Sequence, residues 1–450
     1  MAVWSTVDVS ELGHAQRIEA DYYRPHYLEV SARLEAVKSV PLTRHLGYLT
    51  DGTHVTPNYV PQGVPFLSSS DIDPFIVSPV IEKFISEAEH LRLRHCQPDA
   101  GDILMSKSGR IGSCAVVPAS IKKGDWNIYE GVALLRVDGV EPHYVAAFLN
   151  SKYGHSQIRR ELKGVAQPHL HLEDIRRLKL FVPEPHEMAE VSALVLGGTG
   201  RAQCAHRLFQ DALAALETEL GLDKLTIQKT VGYATQLSNI EVSRRFDPEH
   251  YFPAFSTFCA GLPSRVALSP LVNHLEFCQR GKQPVYAKTG LPVINSKHVQ
   301  PNRVILEGNR FALANPVDDL QIRAGDTLIN GTGRGTIGRA APYISDTPAV
   351  ADNHVTILRS SSLDPAYLSL YLNSAAGQMQ VEMHQRGTSG QLELYPFDIR
   401  KFLVWPAPGE LQRDLRDLYD KATKAERESK RLLDQAKTRV EQLIEAAVQP

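Results

Sequence analysis

The sequence predicts an α+β protein: two tandem, pseudo-symmetric copies of one mixed domain, separated and followed by long helices. Three observations carry this reading. Four sequence blocks recur in the same order, roughly 223–228 positions apart. Within each copy, short apolar runs entered through turn residues precede a segment whose apolar residues have helical spacing. After each copy comes a proline-free stretch with a narrow apolar seam.

The first block pair is RIEADYYRP (17–25) and RFDPEHYFP (245–253). The second is GDILMSKSGRIG (101–112) and GDTLINGTGRGTIG (325–338), the latter two residues longer. The third is EGVALLRVDGVEPHYVAAFLNS (130–151) and NHVTILRSSSLDPAYLSLYLNS (353–374), and the fourth is DIRRLKLFVPEP (174–185) and DIRKFLVWPAP (398–408). A period this long marks a duplicated domain and not a solenoid. GDILMS and GDTLIN read as strands leaving a Gly-Asp turn, and 115–117, 131–136 and 354–358 read as further short strands. Pro142 and Pro365 open helices, since proline is tolerated in a first turn. The expected boundaries are 1–185 for the first domain, 186–235 for a central helix and linker, 236–408 for the second domain and 409–450 for a C-terminal helix.

In the central stretch Phe209, Leu213, Leu216 and Leu220 follow 4-3-4 spacing. In the last, Leu411, Leu415, Leu418, Ala422 and Ala425 keep a 4-3-4-3 run, and Leu433, Ala436, Val440, Leu443 and Ala447 resume it after a one-residue slip. Such a seam requires a partner helix. A helix of about 35 residues would be about 50 Å long. The two are expected to pack on each other as an antiparallel coiled coil; the alternative is that each packs only on its own domain.

Composition is that of a folded globular protein, with 43% hydrophobic and 22% charged residues. Lys and Arg number 49 against 51 Asp and Glu. No chain-wide basic excess marks a polyanion binder, so any such affinity must come from local faces. The five cysteines form no CxxC pair, which predicts reduced thiols, no zinc site and no disulfide framework. The first residues lack the pattern of a signal peptide and no run is apolar enough to span a membrane, so the chain is expected to be cytoplasmic.

Catalytic signatures are missing. Residues 333–338 satisfy GxGxxG, but Pro342 follows within four residues and no helical pattern opens there to hold a pyrophosphate. Thr56-Pro57-Asn58-Tyr59 lacks the Pro-Pro step of an amino-methyltransferase loop. There is no GxxxxGK[ST], GxSxG or HExxH. Asp51 and His54 in DGTH read as a turn, and His169 and His171 lack a third ligand nearby. No catalytic residue, metal or cofactor is expected in this chain.

With these blocks in view, the chain resembles the specificity subunit of type I restriction–modification enzymes. The resemblance rests on RIEADYYRP, LTDGTHVTPNYVPQGVPFLSSSDI (49–72), the GDILMSKSGRIG block, the FLNS helix, the closing apolar–proline stretch and the long helix, followed by a second cycle. It covers nearly the whole chain. The second half departs from it by offering EFCQRGKQPVYAKTGLPVINSKHV (276–299) where the first has DGTH. The resemblance implies that each half is a target-recognition domain reading one part of a split site in double-stranded DNA. It implies that the helices space the two readers and dock two DNA methyltransferase subunits, with room for ATP-dependent restriction subunits. S-adenosylmethionine and ATP would belong to those partners. Two other roles stay open: the specificity subunit of another methylation-linked phage-defence complex, and a scaffold that never touches DNA.

Phosphates call for Lys or Arg, and base edges for forked or amide side chains. The expected DNA contacts are therefore Ser106, Lys107, Ser108 and Arg110 in one loop, and Asn330, Thr332 and Arg334 in its counterpart. Ser69 and Ser70 are answered by Ser296 and Lys297. Lys163 and Arg386, before the closing strand of each half, complete the set, with Gly164, Gln167, Ser389 and Gln391 beside them.

Overall fold

The computed structural model describes the chain except for residues 1–3, 11, 13–16, 164–167, 226–231, 314–319, 388–391 and 449–450. Gly164, Gln167, Ser389 and Gln391 lie outside the described residues. The chain divides into two compact units, one of residues 1–205 with 424–450 and the other of residues 206–423. Among the described residues no helix is long and apolar enough to cross a membrane.

The first unit opens with helix α1 (Pro25–Ala36) and contains strands β1 (Leu46–Asp51), β2 (Tyr59–Val60), β3 (Val64–Leu67), β4 (Phe84–Ile85), β5 (Ile103–Ser106), β6 (Cys114–Val116), β7 (Asn127–Ile128) and β8 (Val132–Val137). Helices α2 (Pro142–Asn150) and α3 (Lys152–Glu161) follow, then the long α4 (Pro185–Glu219). Antiparallel pairing gives one sheet the order β1-β8-β5-β6, and a second sheet has the order β7-β3-β4-β2 with β7 and β3 parallel.

The continuous apolar runs now have their reason. Along β8, Ala133 and Leu135 enter the core beneath the helices, while Val132 and Leu134 enter the core shared with the second sheet. Along β5, Ile103 and Met105 face the first core and Leu104 the second. A strand covered on both faces has no polar face to alternate with.

The second unit repeats the plan. Its strands are β9 (Phe277–Arg280), β10 (Tyr286–Ala287), β11 (Leu291–Ile294), β12 (Phe311–Ala312), β13 (Gln321–Ile322), β14 (Thr327–Asn330), β15 (Ala340–Pro342), β16 (Ala349–Ala351) and β17 (Val355–Arg359). Helices α5 (Pro365–Asn373) and α6 (Ala375–His384) follow, then the long α7 (Gly409–Val448), whose residues from 424 on belong to the first unit, as those of α4 from 206 on belong to the second. The first sheet is β9-β17-β14-β15; the second gains a strand and runs β10-β12-β11-β16-β13.

Single contacts repeat as well. Arg136 grips the buried Asp102 through bonds of 2.8 and 2.7 Å, and Arg359 grips Asp326 through bonds of 2.7 and 2.8 Å. The hydroxyl of Tyr144 donates to the Phe181 carbonyl at 2.7 Å, and that of Tyr367 to the Trp405 carbonyl at 2.5 Å. The arginines of the first block pair serve the last turn of a helix. Arg17 donates to the carbonyls of Glu161 and Leu162 at 3.3 and 3.1 Å, and Arg245 to those of His384 and Gln385 at 3.2 and 2.6 Å. A cation here satisfies carbonyls that the helix leaves open.

Within the first unit, α4 and α7 run antiparallel: Glu190 pairs with Arg439 at 2.9 Å, and further along α4 Gly198 lies against Leu433. Val440 and Leu443 join Val191 and Val195 in the core of the domain itself. Within the second unit Phe209 meets Tyr419 edge to face, with ring centres 5.6 Å apart. Leu216, Leu220 and Leu415 are buried, while Phe209, Leu213, Leu411 and Leu418 are half-buried. Ala212, one residue before Leu213, is the fully buried residue of that turn. Each helix thus packs on its partner and on its own domain. At the phase slip, Ser429 fills the skipped position and is buried.

Candidate nucleic-acid interface

At one end of the four-stranded sheet in each unit, three chain segments converge: the exit of the first strand, the exit of the third, and the entry to the central strand. In the first unit these are Asp51–Gly52, Ser106–Arg110 and Glu130–Gly131. The same backbone bonds hold them in both units. The Lys107 N–H donates to the Gly131 carbonyl at 2.7 Å, and the Gly331 N–H to that of His354 at 2.8 Å. Gly52 and Gly281 lie so close to the incoming strand that a β-carbon would come 2.1 Å from the Ile128 carbonyl oxygen or 2.2 Å from that of Ala351. Only glycine fits there. Arg280-Gly281 therefore occupies the place of Asp51-Gly52, a correspondence the sequence hides because Asp and Arg share no chemistry.

The structure divides the expected contact residues into those spent inside the protein and those left outward. Ser106 is fully buried, and its hydroxyl donates to the Ser108 carbonyl at 2.6 Å. Lys107 is 8% exposed and forms an ion pair with Asp51. Ser108 donates to the Ser69 hydroxyl at 2.9 Å, which brings the two serine loops together. In the second unit Asn330 is fully buried and donates to the carbonyls of Ser296 and Val299 at 2.9 and 3.1 Å, locking those loops in the same way. Thr332 meets His354 Nδ1 at 2.7 Å. Lys163 pairs with the buried Asp174 at 3.1 Å, and Arg386 with the buried Asp398 at 2.8 Å. These two cations neutralise buried carboxylates, while their own side chains remain 41% and 37% exposed.

Arg110, Arg334, Lys297 and Ser70 are left outward. Arg110 is exposed and pairs with Asp73 at the surface. Arg334 is exposed and enters no ion pair among the described residues. Lys297 and Ser70 are exposed. The turn below Ser70 is held by Ser68, whose N–H and hydroxyl both donate to Asp71, at 2.7 and 2.8 Å.

In the GxGxxG string, Gly333, Gly335 and Gly338 all have positive φ (99°, 79° and 81°) and form a loop between β14 and β15, not a helix start. Gly338 abuts Val381 of α6, as Gly112 abuts Ile158 of α3, so the recurrent closing glycine serves packing.

Sequence reasoning passed over several residues of this end. His54 Nδ1 lies 3.0 Å from the Glu130 carboxylate, and its Nε2 lies 3.6 Å from Asp51. Arg280 donates to the Leu394 carbonyl at 2.8 Å, pairs with Glu393 at 3.3 Å and lies 4.9 Å from the Tyr395 ring centre. One cation fills the same space in both units: Lys107 from the third strand in the first, Arg280 from the first strand in the second. A side chain at Gly331, the counterpart of Lys107, would come 2.9 Å from the Arg280 guanidinium. The signal available in the sequence was the position of Glu130 and Asn353 at the head of a repeated block. Nearby, burial pushes the His298 imidazole down to about 4. The Cys96 thiol, also buried, is pushed up to about 11 and stays protonated.

No family model matches the sequence, and no curated protein matches it. Among solved structures the chain is similar to the S subunit of a type I restriction–modification system from M. genitalium, at 12% identity and a TM-score of 0.37, over 90% of this chain and 95% of that one. It is similar to the HsdS subunit from Thermoanaerobacter tengcongensis, at 15% identity and a TM-score of 0.28, over 90% and 95%. A structure described by the complex assembly and conformational transition of the type I R-M system matches at 16% identity and a TM-score of 0.30, over 91% and 96%. Each of these similarities spans 90% or 91% of this chain.

Proposed function

We propose that the chain is a sequence-specific DNA-binding subunit that reads a two-part target, one part per unit, and positions DNA methyltransferase subunits on it. The observation that carries this is the doubled loop end. Two copies of one backbone frame present polar and cationic side chains outward, Arg110 in one and Arg334 with Lys297 in the other. Their supporting residues are locked by internal bonds. Loops of this kind on a rigid sheet are where proteins place recognition. The near-zero net charge confines phosphate attraction to such local faces.

The chain needs no catalytic group for this role. Methyl transfer, with S-adenosylmethionine, and any ATP-driven restriction would be supplied by partner subunits. The spacing role of the two long helices, and a cytoplasmic location, belong to the same proposal.

The test is a map of methylated bases in the native genome, with and without the gene. The expected result is a two-part motif with a fixed gap that disappears with the gene. Purified chain should also be retained on duplex DNA with a steep inverse dependence on salt. A genome whose methylation is unchanged by deletion would remove the proposal in favour of a scaffold role.

A further inference from the structure

We propose that the residue entering the central strand of each four-stranded sheet, Glu130 before β8 and Asn353 before β17, is the base-reading position of its unit. This rests on the DNA-reading role above and names the side chains that carry it.

The backbone at these two residues is clamped on both sides. Before Glu130, the Tyr129 N–H donates to the Leu67 carbonyl at 2.9 Å; after it, the Gly131 carbonyl accepts from Lys107. Before Asn353, the Asp352 N–H donates to the Ile294 carbonyl at 3.0 Å; after it, the His354 carbonyl accepts from Gly331. A side chain held between two such bonds is placed in advance, as discrimination between base edges requires.

The duplication serves as an internal control. Where both copies keep one residue type and one contact, as with Gly52 and Gly281 or the Asp102–Arg136 and Asp326–Arg359 pairs, the residue holds the fold. The neighbours at the loop end are consumed internally: Lys107 by Asp51, and Arg280 by Glu393 and backbone carbonyls. Positions 130 and 353 keep the frame, reach the surface and differ in chemistry. Two readers of different sequences need such a position.

Each side chain has the form of a base-edge reader. The Glu130 side chain is 41% exposed, and its partner among the described residues is the His54 ring, with no ion pair to a Lys or Arg among them. An unneutralised carboxylate is repelled by phosphate but accepts from an exocyclic amine, above all the N4 of cytosine. Asn353 is half-buried, with its amide oxygen buried and without a hydrogen-bond partner within the protein, which leaves the amide nitrogen as the group able to meet a base. An amide N–H donates to an acceptor on a base edge, such as N7 or O6 of guanine or O4 of thymine. His54 is a positioning residue, holding the Glu130 carboxylate in one orientation.

The test uses the full chain at its own locus with its native partners, and reads the methylated motif. Glu130→Asn should alter base preference in one half of the motif only, with occupancy of the original sequence falling about tenfold or more. Asn353→Glu should do the same in the other half only. Glu130→Gln, which keeps the shape and adds a donor, should relax the same position as Glu130→Asn. Protein level and melting temperature, measured in parallel, should match those of the unmodified chain. Variants that are present at normal level and leave both halves of the motif unchanged would overturn the proposal, as would one substitution altering both halves. If no methylated motif depends on the unmodified chain, the DNA-reading role itself fails and this assignment falls with it, a result distinct from the other two.

Discussion

The carboxylate of Glu441 accepts a 2.8 Å bond from the backbone N–H of Lys152, capping helix α3 from the long C-terminal helix. Glu217 does the same for Ala375 at the start of α6, at 2.9 Å. Here the duplication acts across elements far apart in sequence: a glutamate of a long helix satisfies a helix N-terminus of the adjoining domain. The first turn of a helix has open N–H groups and a partial positive charge, so a carboxylate there is doubly favourable. Glu441→Ala and Glu217→Ala should each destabilise by about 1 kcal/mol. Urea denaturation of each variant measures this.

Gly198 sets the approach of α4 to α7 within the first unit. A β-carbon there would come 2.6 Å from the Leu433 side chain. Gly198→Ala should therefore destabilise by about 1–2 kcal/mol even though alanine favours the helix by about 1 kcal/mol. Leu433→Ala alone should cost about 2–4 kcal/mol. The double variant should be more stable than the sum predicts, by about 1 kcal/mol. A double-mutant cycle decides; strict additivity would separate the two residues energetically.

Lys107 and Arg334 test the division between spent and free cations. Lys107→Met should lower stability, because it strands the largely buried Asp51 carboxylate, and should leave the salt dependence of DNA retention unchanged. Arg334→Ala should leave stability within about 0.5 kcal/mol and reduce the salt slope by about one. Arg110→Ala and Arg334→Ala should each act on one half-site only. Retention measured over a salt series gives both slopes.

His384 predicts an acid-sensitive fold. Burial pushes its imidazole down to about 4, against the nearby Asp398 carboxylate, which favours the charged form. The unfolded chain takes up a proton near the ordinary histidine value of about 6.5, whereas the folded site resists it until about 4. Stability is therefore complete above pH about 6.5 and lost as pH falls toward about 4, by up to about 3 kcal/mol. His298, lowered by burial to about 4, adds in the same direction. His384→Phe should flatten the curve of stability against pH between 7 and 4.5; an unchanged slope would assign the loss to other groups.

Much of the architecture was legible because it rests on patterns that repeat. Four blocks in one order announce a duplicated domain. Runs such as ILMS and VALL reveal strands, although their two-sided burial became visible only once both cores were in place. The site was legible only as a region. Ser106, Lys107 and Asn330 have the chemistry of DNA contacts, and nothing local distinguishes them from Arg110 or Arg334.

By itself, then, the sequence determined the duplicated α+β domains, their two long helices and the lack of familiar catalytic motifs, because periodicity and residue type act locally. Only the tertiary structure decided which polar side chains remain available. That outcome depends on partners distant in sequence: Asp51 for Lys107, Glu393 for Arg280, the carbonyls of Ser296 and Val299 for Asn330. A buried charge or amide must be matched where the chain happens to bring its partner, and no pattern within one segment reveals that match.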